Sequence, residues 1–223
     1  MCNPNISEIS AILEEDKVLY GIMKQCPYEL LRRMKVEQYP AGKFRLAQGE
    51  AYSSIYLVVE GELDIYVESE NGKKYYLNTY RKGNYIGELE MFGPKPYISS
   101  VEAITEVTMI VIDRKDFLYW LQTDRNMNDY FIESMCENSY DLCVNMGNNT
   151  LHTLKQRICQ FLLSGAQNKI NIRSESLSER MAVTQRSVNR ILQQLKEAGY
   201  IEIGRNVITV INYDGLKEEM KIE

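Results

Sequence analysis

The sequence predicts an α+β chain: an N-terminal antiparallel β-barrel or jelly roll, one long helix, and a C-terminal winged helix-turn-helix. Three observations predict it. Between residues 36 and 112, short apolar runs are punctuated by Gly42, Gly49, Gly61, Gly72, Gly83, Gly87 and Gly93, a spacing that suits a small antiparallel barrel. After Asp113 the apolar period changes from strand to helix. Beyond Ser174, two short helical patterns and a hairpin pattern follow in succession. The chain then divides into a barrel over 1–123, a long helix and hinge over 124–148, and a winged helix over 149–223.

Each element has its own signal. Ser54–Val59 reads as a strand, Glu60-Gly61 as a tight turn, and Leu63–Val67 alternates apolar and polar before the turn at Glu70-Asn71-Gly72 and the strand residues Tyr75–Leu77. Val101–Ile112 supplies the closing strands. Arg114–Gln122 suits a short helix, and Asn126–Met146 a long one free of proline and glycine. Ile132, Met135, Leu142 and Met146, with Ser139 between, have the spacing of a coiled-coil seam, while Tyr130 and Phe131 can face the barrel. The same residues also fit a helix packed only on its own domain. Gly147-Asn148-Asn149 marks a break and the best domain boundary. Thr150–Leu163 is an amphipathic helix ended by Gly165. Ser174–Met181 is a short helix with an N-cap serine, Ala182-Val183 a turn, and Thr184 the cap of a helix running to about Glu197. Ala198–Ile203 and Asn206–Ile211 form a hairpin around Gly204-Arg205.

Composition narrows the function. The 223 residues are 44% hydrophobic and 26% charged, a globular balance. A single histidine, His152, excludes a multi-histidine metal centre, and an enzyme has nothing further to rest on than this residue and stray thiols. No metal or cofactor is expected. The five cysteines, Cys2, Cys26, Cys136, Cys143 and Cys159, lack metal-ligand spacing and read as reduced thiols, those on the helices as buried and inert. No signal sequence or long apolar run occurs, so the expectation is a cytoplasmic protein, neither secreted nor membrane-spanning. Charge is uneven: residues 1–150 carry 15 basic and 23 acidic side chains, residues 151–223 carry 11 and 8. The smaller segment can meet a polyanion.

The segment Thr184–Glu197 carries the functional signal. Val188, Ile191, Leu192 and Leu195 form a buried stripe, and Gln185, Arg186, Asn189 and Arg190 share the opposite face. Arginine fits guanine, and glutamine or asparagine fits adenine, in a DNA major groove. A solvated helix face accounts for the same residues, but the hairpin that follows makes a winged helix, with Arg205 at the wing tip placed to touch phosphate.

Tyr56-Leu57-Val58-Val59-Glu60-Gly61-Glu62-Leu63, the segment Gly83–Phe92 and the segment Thr184–Arg190 resemble the barrel hairpin, phosphate-binding cassette and S-R-E-T-V-x-R recognition segment of the CRP/FNR superfamily of bacterial transcription regulators. The resemblance covers nearly the whole chain. It implies a homodimer formed along the long helix, bound to palindromic double-stranded DNA, with RNA polymerase as a further partner of an activator. It carries base reading onto Gln185, Arg186 and Arg190, and phosphate contact onto Thr184 and Ser187.

Departures from the family pattern matter as much. Cyclic-AMP binders end the cassette with an Arg-Ser pair, and here those positions are Tyr97 and Ile98. Losing that cation from a partly buried phosphate site costs about 3–5 kcal/mol. Lys95 lies between Pro94 and Pro96, and the long helix offers Leu142 and Cys143 where such binders present hydroxyls. The resemblance therefore implies an effector pocket around Gly87, Glu88, Leu89, Tyr97, Ser99 and Leu142 that no longer answers to cyclic AMP, with Glu88 kept as a turn-stabilising carboxylate. The alternative is a receptor for a different nucleotide or small anionic effector, with Lys95, Arg81 or Lys82 replacing the lost arginine. Gln185-Arg186 in place of Arg-Glu implies a target unlike the family's usual half-site.

Overall fold

The computed structural model describes residues 4–221 apart from 73, 94, 166 and 167. Cys2 and Pro94 lie outside the described residues. The chain forms two compact units, one of residues up to Glu68 with Leu77–Ser139, the other of Ser69–Tyr76 with Tyr140–Glu223.

The first unit opens on three helices absent from the expectation: α1 (Pro4–Glu15), α2 (Lys17–Met23) and α3 (Tyr28–Leu31). Asp16 starts α2 by accepting hydrogen bonds from the backbone N–H of Val18 at 2.9 Å and Leu19 at 3.0 Å. Ile9, Leu19, Ile22, Met23 and Leu30 share one buried cluster with Phe117, Trp120 and Phe131.

Among the described residues, eight strands follow: β1 (Lys35–Tyr39), β2 (Arg45–Leu46), β3 (Ser54–Glu60), β4 (Leu63–Glu68), β5 (Lys74–Tyr80), β6 (Tyr85–Ile86), β7 (Ser100–Ala103) and β8 (Val107–Asp113). They make two four-stranded sheets, β1-β8-β3-β6 and β2-β7-β4-β5, the jelly-roll arrangement expected. Ile55 stands opposite Ile112 and Leu57 opposite Ile110 across β3 and β8, and Ile65 opposite Val101 across β4 and β7, all antiparallel. Val58, Leu63, Ile65, Val101, Val107 and Met109 fill the interior. Gly61 turns the chain between β3 and β4 at φ +91°, where a Cβ would strike the carbonyl of Glu106.

Helix α4 (Arg114–Thr123) is capped by Asp113, whose carboxylate accepts from the Lys115 N–H at 2.9 Å. Helix α5 (Arg125–Leu151) then runs 27 residues. Its first turns belong to the barrel unit: Phe131 is buried with its ring 5.8 Å from that of Tyr85, and Tyr130 is half-buried beside it. Met135 also packs on that core, whereas Ile132, Leu142 and Met146 are exposed. The expected break at Gly147-Asn148-Asn149 does not occur, because the helix passes through it to Leu151. One interior glycine costs a helix only about 1 kcal/mol relative to alanine. Asn149 is instead a junction: its amide donates to the Tyr75 hydroxyl at 2.6 Å and its carbonyl accepts from Arg157 at 2.7 Å.

The rest of the second unit comprises α6 (Leu154–Ser164), β9 (Lys169–Asn171), α7 (Ser174–Met181), α8 (Gln185–Glu197), β10 (Ile201–Gly204), β11 (Val207–Val210) and α9 (Tyr213–Lys221). Helix α6 starts later than Thr150, at a capping box between Thr153 and Gln156. Ser174 is the first helical residue of α7, not its cap; Arg173 holds that place without a side-chain cap bond. The strands form one sheet ordered β10-β11-β9. Ile158, Leu162, Leu177, Val188, Leu192, Leu195, Ile208 and Leu216 make a core separate from that of the barrel.

Candidate nucleic-acid interface and effector pocket

The turn between α7 and α8 is set by Ala182, which adopts the left-handed conformation at φ 54° and ends α7 through its N–H. Thr184 then begins α8: its hydroxyl oxygen accepts from the Ser187 N–H at 3.3 Å and lies 2.9 Å from the Ser187 hydroxyl. With the start of α8 fixed, its period buries Val188, Ile191, Leu192 and Leu195. Thr184, Gln185, Arg186, Asn189 and Arg190 are left exposed, and Ser187 half-buried. Asn206, at φ 63°, turns the chain between β10 and β11 and leaves Arg205 exposed at the wing tip.

Two kinds of polar side chain share this face. Arg186, Asn189, Arg190 and Arg205 make no hydrogen bond or ion pair among the described residues, whereas Gln185 Nε2 donates to the Ser174 hydroxyl at 2.8 Å. Between α8 and the wing lies a cleft of about 440 Å³, with Gln185, Asn189 and Gln193 on one wall and Ile203, Asn206 and Val207 on the other. Gln193 and Ser174 are additions to the residues expected here. The four-residue spacing Gln185, Asn189, Gln193 was a readable signal for the first; nothing in the sequence pointed to the second.

The cassette region is organised in the opposite sense. Gly87 follows β6 at φ +90°, and a Cβ there would overlap the Tyr97 hydroxyl. Tyr97 is buried, its backbone tied to Gly49 and Glu50 and its ring edge-on to Tyr52 with centroids 4.9 Å apart. Glu88 is also buried and accepts a hydrogen bond from the Tyr80 hydroxyl at 2.7 Å. Desolvation raises its carboxyl to about pH 7, with the Tyr80 bond acting against that shift. Burial likewise raises the Tyr80 and Tyr97 phenols.

Of the remaining pocket candidates, Ser99 is buried, Leu89 points to solvent, and Leu142 is exposed on the stretch of α5 that belongs to the second unit. The cations weighed as replacements are engaged or outside: Arg81 pairs with Glu62 at 2.7 Å, Lys82 pairs with Asp16, and Lys95 is exposed. What lies against Gly87 is thus phenol and buried carboxyl, neither of which carries the positive charge that offsets a buried anion.

The cysteine expectation needs correction. Cys159 is buried with its thiol raised to about 11, but Cys136 and Cys143 are exposed on α5. His152 is exposed between α5 and α6, and the described residues hold no cluster of three or more metal-ligating side chains. No described helix is long and apolar enough to cross a membrane.

Comparison with known proteins places these features. Residues 36–124 match the cyclic nucleotide-binding domain and residues 156–219 the Crp-like helix-turn-helix domain. The chain is 21% identical over 209 residues to the CRP-like cAMP-activated global transcriptional regulator of Mycobacterium tuberculosis, covering 88% of this chain and 93% of that one. It is 24% identical over 191 residues to the cAMP-activated global transcriptional regulator CRP of Salmonella typhimurium, covering 81% and 91%. In fold it is similar to a transcriptional regulator of the crp/fnr family from Eubacterium rectale, with a TM-score of 0.73 at 15% identity over 92% of this chain and 94% of that one. It is similar too to the c-di-GMP responsive regulator CLP of Xanthomonas campestris, with a TM-score of 0.73 at 13% identity over 79% and 93%. The jelly roll, the long helix and the winged helix, in this order and with both domain matches, make the chain a member of the CRP/FNR superfamily of DNA-binding transcription regulators.

Proposed function

We propose that this regulator acts as a homodimer on a palindromic DNA site and does so without cyclic AMP. The observation that carries the reading is Tyr97, buried over Gly87 beside a buried Glu88 that is bonded to Tyr80, with no cation paired to either among the described residues. A cyclic phosphate brought there meets a carboxyl and a phenol and no compensating charge. Arg186, Asn189 and Arg190 would read base edges together with Gln185, while Thr184, Ser187 and Arg205 would contact the backbone. The exposed Ile132, Leu142 and Met146 of α5, with Met135, would supply the apolar seam for a second copy. Two recognition helices in such a dimer meet half-sites about 34 Å apart.

The test is selection of the ligand-free protein against a random duplex pool near physiological salt, followed by calorimetry with cyclic AMP. A palindromic motif and no heat at millimolar nucleotide are expected. Enrichment that depends on cyclic AMP would overturn the reading.

A further inference from the structure

Among the polar side chains on the outer face of α8, Gln185 differs from Arg186, Asn189 and Arg190 in being held by another helix. Its Nε2 donates to Ser174 Oγ at 2.8 Å, which joins the first residue of α8 to the first residue of α7. Both residues line the cleft between α8 and the wing, with Asn189 one turn further along the same wall. We propose that Ser174 is a positioning residue for base recognition, fixing the Gln185 amide so that α8 selects adenine at one position of each half-site. The inference rests on the DNA-reading role given above to this helix.

The chemistry follows from counting donors. A glutamine amide has two N–H donors and one acceptor oxygen. The Ser174 bond uses one donor and leaves one N–H and Oε1, the pair that adenine N7 and N6 take together. An unheld glutamine on an exposed helix would reach the same arrangement only by giving up rotamer freedom on binding, so the bond lowers the ordering cost of a correct contact. Ser174 serves here as acceptor, and its own O–H stays available for a phosphate oxygen, as hydroxyls at helix starts commonly provide. Asn189 has no such brace and supplies the internal comparison.

The experiment uses the full chain. Its preferred duplex is selected from a random pool, and fluorescence anisotropy then measures affinity for that duplex and for every single-base variant of the half-site. The proteins are the parent, Ser174→Ala, Ser174→Thr, Gln185→Ala and the Ser174→Ala, Gln185→Ala double variant. We expect one symmetric position at which the parent prefers adenine by on the order of tenfold. Ser174→Ala and Gln185→Ala should each shrink that preference to within about twofold, the double variant should go no further, and Ser174→Thr should keep it. A Ser174→Ala variant that weakens all duplexes by one factor, or that leaves intact a preference Gln185→Ala removes, overturns the assignment. Failure of the parent to enrich any palindrome refutes the DNA-reading role itself, and this is distinct because it appears before any variant is made.

Discussion

The two units treat their polar side chains in opposite ways. In the first, Tyr80, Glu88 and Tyr97 are buried and directed at one another or at the backbone around Gly87. In the second, Arg186, Asn189 and Arg190 stand exposed without partners on a helix whose other face is fully apolar. Polar groups that satisfy one another leave nothing for a ligand, whereas unsatisfied groups on a rigid helix are held ready for one. The difference teaches that two sites carried by one chain can differ in how far their polar groups are already spent on each other. On the function proposed above, the second unit would supply the recognition chemistry while the polar groups of the cassette hold its turn.

Four measurements sharpen or break this contrast. The largest effect concerns the separateness of the cores. Leu192→Ala should destabilise the second unit by about 2–5 kcal/mol. Urea unfolding followed by the single Trp120, which lies in the first unit's core, should then shift less than unfolding followed by circular dichroism. Equal shifts in both signals would mean the two cores unfold as one.

A slightly smaller effect belongs to Glu88. Its carboxyl is raised from 4.5 to about 7 in the folded chain, so the folded state holds the proton more tightly than the unfolded one. The stability it contributes is complete below pH 4.5 and is lost as pH rises to about 7, on the order of 3 kcal/mol in all. Glu88→Gln should remove that part of the slope in denaturant titrations run from pH 4.5 to 7.5. A slope identical in parent and variant would show that Glu88 is not held as a buried acid.

Arg190→Ala should weaken binding to the selected duplex by about 1–3 kcal/mol and relax one base position, read by competition with single-base variants. An unchanged base preference would remove Arg190 from the reading face. The smallest effect is at the helix start: Thr184→Ala should cost about 1 kcal/mol of stability through loss of the cap on Ser187, measured by thermal melting.

The sequence disclosed the second unit better than the first, for physical reasons. A 3.6-residue apolar period and a threonine cap are local signals, so α8 was legible from Thr184 to Glu197 and its turn from Ala182. Helices α1 to α3 escaped because their buried residues belong to a cluster with Phe117, Trp120 and Phe131, about a hundred positions away, and α2 and α3 are short besides. The two-residue strands β2 and β6 are too brief for alternation to register. At the cassette, the sequence showed that Tyr97 stands where an arginine was expected. That its hydroxyl lies against Gly87 depends on the path of the intervening loop, which no local pattern encodes. The same limit applied to Ser174, whose partner lies in the next helix, and to Asn149, whose partners Tyr75 and Arg157 lie outside any local pattern.

The exposed cations on the surface proposed to face DNA have a consequence in solution thermodynamics. Arg186, Arg190 and Arg205 have no carboxylate partner among the described residues to release before docking. The condensed ions that surround DNA are therefore the main charges exchanged, and each phosphate neutralised should contribute about −0.9 to the slope of log affinity against log salt. Removing Arg205 alone should lower the magnitude of that slope by about one phosphate's share, while leaving the order of preferred sequences as it was.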